Sequence, residues 1–147
     1  MTTAQDRLNL LIPSWSAQLS RWAQEGALAL AVQQALRLDA TPPKLDAFIH
    51  QLARGDTSGL PRLEILASDA MPGAAGAYAA STGTIYLNAS WLENANTSAV
   101  LAVLTEELGH WLDSRLNPSD TPGDEGELFA ALLLGTTLSP QERDRIQ

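Results

Sequence analysis

The 147 residues include 45% hydrophobic and 18% charged side chains, a balance that excludes a disordered chain and suffices for the core of one domain. Nine Lys and Arg stand against seventeen Asp and Glu, a formal net charge of −8, and the basic residues form no run, so nucleic acid is excluded as the main partner. The absence of cysteine removes disulfides and thiolate metal sites, and no apolar run is long enough to span a membrane. Residues 1–7 lack the basic segment and apolar run of a secretory signal. The expected location is therefore the cytoplasm, or the exterior by a non-classical or type I export route.

The first 55 residues read as helical. Ser14, after Pro13, is placed to cap a helix carrying Trp15, Leu19 and Trp22 at i, i+4 and i+7, an apolar face expected to pack in the core. Gly26 separates it from a second helix through Leu28, Val32 and Leu36. A third starts with Thr41 as cap and Pro42 in its first turn, carries Leu45, Phe48, Ile49 and Leu52, and stops at Gly55. His50 lies beside that stripe and reads as structural, outside any site.

The middle of the chain changes character. Leu63-Glu64-Ile65-Leu66 is a short strand after the turn residues Gly59 and Pro61. Ser81-Thr82-Gly83 forms a tight turn that pairs residues 77–80 with 84–87 as a hairpin. Helix resumes at Asn96 or Thr97 and runs to Asn117-Pro118. Thr121-Pro122-Gly123-Asp124 opens another helix that ends at Gly135, and Ser139-Pro140-Gln141-Glu142 caps a short terminal one. The expected fold class is α+β: a mostly helical single domain over residues 1–147, with a small antiparallel or mixed sheet packed against the helix that holds Glu106.

Glu106-Glu107-Leu108-Gly109-His110 is one residue short of H-E-x-x-H, the pattern that sets two zinc-binding histidines and a catalytic glutamate on one helix. Glu106 replaces the first histidine, and a carboxylate also binds divalent metals, as a harder ligand. At about 100° per residue, Leu101, Leu104, Leu108, Trp111 and Leu112 share one sector while Glu106, His110 and Asp113 cluster opposite. Glu107 then stands about 100° round from Glu106, where a general base belongs if the first and fifth residues hold the metal. A polar stripe opposite an apolar one is also what any surface helix shows.

On the next helix Glu125 falls within about 60° of Leu128, Phe129 and Leu132, a carboxylate set in a core-facing stripe, while Glu127 faces away. Such a carboxylate needs a partner. A metal would serve, and so would the helix dipole or an ion pair with Arg115. Asp113 is positioned to hydrogen-bond the other nitrogen of His110, to ligate, or to face water. A supporting or structural role is expected.

The order of a strand, a hairpin containing Thr84-Ile85-Tyr86-Leu87-Asn88 and a helix with Glu106-Glu107-Leu108-Gly109-His110 resembles the core of zincin metallopeptidases. The stretch from Thr121, with Asp124-Glu125 opening a helix, resembles the gluzincin arrangement. Over residues 60–147 the resemblance implies a zincin-like core whose edge strand lines a cleft and pairs with an extended peptide substrate. It implies Glu107 as general base, His110 as ligand and Glu125 as third ligand, with a protein or peptide as substrate. Residues 73–135 are also similar to a domain near the N-terminus of large secreted bacterial, often cyanobacterial, proteins with calcium-binding repeats. That domain's core reads E-E-I-G-H followed by G-D-E-G, so Glu106 would be its ordinary residue. The repeats themselves are absent here.

Two features depart from a gluzincin: Glu106 in a histidine position and a short spacing from His110 to Glu125. A set of Glu106, His110 and Glu125 is richer in negative charge than a two-histidine site. It would hold zinc, or favour manganese, iron or calcium, and make a bound water less acidic. The expected function is a metal-dependent peptidase, self-processing or acting on a partner protein. The alternatives are a catalytically degenerate zincin-like module, used for binding or structure in a larger secreted protein, and a helical interaction domain without metal.

Overall fold

The computed structural model of the chain describes residues 3–35, 42–71, 73–79, 81–116, 129–130 and 132–133. Three helices come first: α1 (Ala4–Glu25), α2 (Ala27–Ala35) and α3 (Pro43–Ala53). Strand β1 (Arg62–Leu66), a 3-10 turn (Ser68–Ala70), β2 (Gly76–Ala79) and β3 (Thr84–Asn88) follow, and then α4 (Ala89–Asn94) and α5 (Thr97–Leu116). This is the α+β class expected from the sequence.

Helix α1 begins well before Ser14. Thr3 Oγ1 accepts the Asp6 N–H at 3.1 Å and the Asp6 carboxylate accepts the Thr3 N–H at 3.4 Å, a reciprocal cap at the true N-terminus. Pro13 therefore lies inside the helix rather than before it. An interior proline costs a helix about 3 kcal/mol. Here Leu8, upstream of Pro13, is buried on the same stripe as Trp15, Leu19 and Trp22. Burying one such side chain contributes about 1.5–3 kcal/mol, so tertiary packing carries the helix through the proline. Gly26 closes α1 at φ 83°, a left-handed position suited to glycine. Leu36 and Thr41, expected in the second helix and at the cap of the third, lie outside the described residues. Pro42 is the N-cap of α3 and provides no side-chain bond.

The sheet has the order β1-β3-β2, with β3 parallel to β1 and antiparallel to β2. The expected hairpin forms one residue displaced: Gly76 faces Leu87 and Ala79 faces Thr84. Its turn closes through Gly83, at φ 64°, whose N–H donates to the Ala79 carbonyl at 2.8 Å. Asn88 ends β3 and starts α4, a helix with no separate sequence signal. Its Oδ1 accepts the Trp91 N–H, and its Nδ2 donates to the carbonyls of Met71 and Ala74. One side chain thus joins the strand, the helix and the loop leading into β2.

Trp15 and Leu19 of α1, Leu28 and Val32 of α2, and Leu45 and Leu52 of α3 meet Leu87, Leu92, Leu104 and Leu108 in one buried cluster. Phe129 and Leu133, both in helical conformation, join it. The Arg7 guanidinium ties α1 to α4 by donating to the Leu92 and Glu93 carbonyls at 3.1 and 3.2 Å. Among the described residues no helix is long and apolar enough to cross a membrane. The start of the helix expected from Thr121 and the terminal helix expected from Ser139 lie outside the described residues.

Candidate metal centre

Asn96 caps α5, accepting the Ala99 N–H on its Oδ1 at 2.8 Å, and Thr97 is the first helical residue. Leu104, Leu108, Trp111 and Leu112 are buried as the apolar stripe requires. The opposite side is not a solvent face. No residue from 99 to 113 is exposed, and Glu107 and Asp113 retain only 8% and 6% of their accessible surface. This overturns the surface-helix reading and, with it, the option in which Asp113 faces water.

Strand β2 packs against part of that side. Gly76 meets α5 so closely that a Cβ there would lie 2.7 Å from Val103 Cγ1. Further along, the Tyr78 hydroxyl lies 2.9 Å from Ser114 Oγ. Ser114 Oγ already donates its hydrogen to the Trp111 carbonyl at 2.7 Å, so Tyr78 is the donor of the pair. Val103, Glu107, His110 and Ser114 succeed one another at spacings of four, three and four along one side of the helix, with Glu106 beside them. The edge strand therefore runs along the side that carries the H-E-x-x-H-like residues. Behind this face the helix is held by Thr105, which accepts from the buried Trp15 Nε1 at 3.2 Å and donates to the Leu101 carbonyl at 2.8 Å.

Glu106, Glu107 and His110 each offer a ligand atom, and the three atoms lie within 4.8 Å of one another. In a tetrahedral zinc site with bonds near 2.1 Å, donor atoms are about 3.4 Å apart, so modest side-chain rotation would bring this trio onto one cation. Two carboxylates so close repel when both are ionised, and a divalent cation between them removes that repulsion. One imidazole and two carboxylates form a donor set that fits zinc and also harder divalent ions. Each of the three, like Asp113, is also engaged by neighbouring groups of the protein.

Glu106 and His110, the ligands expected on this helix, and Glu107, the expected base, all come within reach of one possible cation position. Glu125, the expected third ligand, lies outside the described residues. His50, read from the sequence as structural, is instead exposed on α3, 3.6 Å from Asp46. Sequence reasoning missed Gly76, Tyr78, Thr105 and Ser114, which position the helix. A lone tyrosine in the Gly/Ala-rich stretch 73–80 was the one local hint. No protein family, curated protein or solved structure matches the chain.

Proposed function

We propose that this protein is a metal-dependent peptidase built on a zincin-like core. The observation that carries the reading is the convergence of Glu106, Glu107 and His110 within 4.8 Å on a helix flanked by an edge strand. Glu106 and His110, one helical turn apart, would hold the cation, and the third ligand expected from the sequence is Glu125, which lies outside the described residues. The cation, zinc or a harder ion such as manganese, iron or calcium, would supply Lewis-acid polarisation of a scissile carbonyl. Glu107 takes the proton from the attacking water and passes it to the leaving amine. The outer edge of β2 offers backbone N–H and C=O groups to an extended peptide, aligning it along the side of α5 that carries these residues.

A second reading has its own support. Glu107 is buried, and no residue of α5 from 99 to 113 is exposed. A cation there would then brace this turn of α5 rather than react, in a module serving binding or structure within a larger secreted protein.

The test is metal analysis of protein purified without chelator, joined to cleavage of a peptide library. Glu106→Ala and His110→Ala should lose the metal, and Glu107→Gln should keep it while abolishing cleavage. Metal retained by Glu107→Gln, with no cleavage by the parent protein, assigns the structural role. Wild-type protein free of metal removes both readings.

A further inference from the structure

A pocket of about 310 Å³ opens between α3 and α5, and none of Glu106, Glu107 and His110 lines it. It exists because α3 has two working faces. Leu45, Ile49 and Leu52 are buried in the core, while Lys44, Ala47, Phe48 and Gln51, at helical spacing, line the pocket opposite Trp111, Leu112 and Arg115 of α5. The inner wall is aromatic: the Phe48 and Trp111 rings stand 5.3 Å apart, tilted by 58°. The Arg115 guanidinium carbon sits 5.1 Å from the Trp111 ring centroid. Gly59 closes the α3 side, where a Cβ would come 3.0 Å from Gln51 Oε1 and 3.5 Å from Phe48 Cδ1.

The charge of this pocket runs against that of the chain. Acids outnumber bases seventeen to nine in the sequence, yet the pocket wall contains Lys44 and Arg115 and no acid. Among the described residues neither cation forms a salt bridge, since the pairs present are His50 with Asp46 and Arg62 with Glu64. An apolar, aromatic-walled recess with two cations and one amide at its rim has the composition of a small-molecule site: mostly apolar lining and a few polar groups that fix orientation. Its volume is at the lower end for such sites, about 300–1,000 Å³, which suits a single ring rather than a large ligand.

We propose that this pocket binds a small aromatic carboxylate, with its ring against Phe48 and Trp111 and its carboxylate at the Lys44 and Arg115 rim. Arg115 already lies over an aromatic face and presents further N–H donors, a geometry suited to a planar carboxylate. The proposal does not depend on the metal reading.

The test is titration of the full ¹⁵N-labelled chain with phenylacetate and, separately, with its neutral isostere phenylacetamide. The indole N–H resonances are followed, Trp111 being assigned from Trp111→Phe. Phenylacetate should shift Trp111 saturably and leave Trp15, Trp22 and Trp91 in place. Phenylacetamide should bind about fivefold more weakly, the scale of one partly exposed ion pair. The double variant Lys44→Gln/Arg115→Gln changes only exposed side chains, so it should keep the fold, and it should bind the acid and the amide alike. Equal affinity of the parent protein for acid and amide, no saturable shift of Trp111, or equal shifts of all four indoles would overturn the assignment.

Discussion

Tyr78 donates a hydrogen bond to Ser114, 2.9 Å away, and fastens the outer strand of the sheet to the last turns of α5. The other fastening is the close contact of Gly76 with Val103. Glu106, Glu107 and His110 occupy the turns between these two anchors, so a change in β2 should be felt at the candidate metal centre.

Tyr78→Phe keeps the ring and removes the donor. Stability should fall by about 0.5–1.5 kcal/mol, read from the urea midpoint. If β2 guides a peptide past the metal residues, cleavage should fall by a larger factor than this loss of folded protein explains. Cleavage that tracks stability alone counts against that role.

Gly76→Ala places a methyl group against Val103 Cγ1, where only 2.7 Å separates the two carbons. Such overpacking costs about 1–3 kcal/mol. Val103→Ala should recover much of that loss when combined with it. Purely additive effects in the double-mutant cycle would show that the two residues do not share this contact.

Thr105→Val removes the acceptor of the buried Trp15 indole without changing the shape of the side chain. An orphaned buried donor costs about 1–3 kcal/mol, whereas Thr105→Ser keeps the hydroxyl and should lose less. Denaturation followed by tryptophan fluorescence distinguishes the two, and equal losses would refute the hydrogen bond as the cause.

Glu106→His completes the H-E-x-x-H pattern. Zinc affinity should rise relative to manganese and calcium, because an imidazole is a softer donor than a carboxylate. Zinc at a hundredfold excess over its dissociation constant should stabilise the variant by about 2.7 kcal/mol, visible as a rise in Tm. An unchanged metal preference would place Glu106 outside the coordination sphere.

The elements that were legible in the sequence are those whose signals are local. The β-branched and aromatic run of β3, the turn glycine Gly83 and the Asn96 cap each act within a few residues of themselves. What was not legible depends on distant partners. Pro13 looks like a helix boundary until Leu8 is seen to share the buried stripe of Trp15. Asn88 reads as the end of a strand, and only its bonds to Met71, Ala74 and Trp91 disclose a second helix beyond it. Glu106, Glu107 and His110 were picked out by a motif, but the burial of Glu107 and Asp113 was not. A helical wheel knows the angles of one helix, not that a strand packs across its polar side.

The link between Trp15 and Thr105 spans ninety positions of sequence, and it orders events during synthesis. A nascent chain that has emerged only as far as Asn96 already carries α1, α2, α3 and the sheet. It still lacks the acceptor for its indole and the α5 leucines that belong to the same core. Until α5 clears the ribosome, the core that Leu19, Leu28 and Leu52 share lacks Leu104 and Leu108, and such incompletely covered apolar surface invites chaperones or aggregation. The segment that carries the candidate metal residues therefore also supplies a late part of the core, ahead only of Phe129 and Leu133.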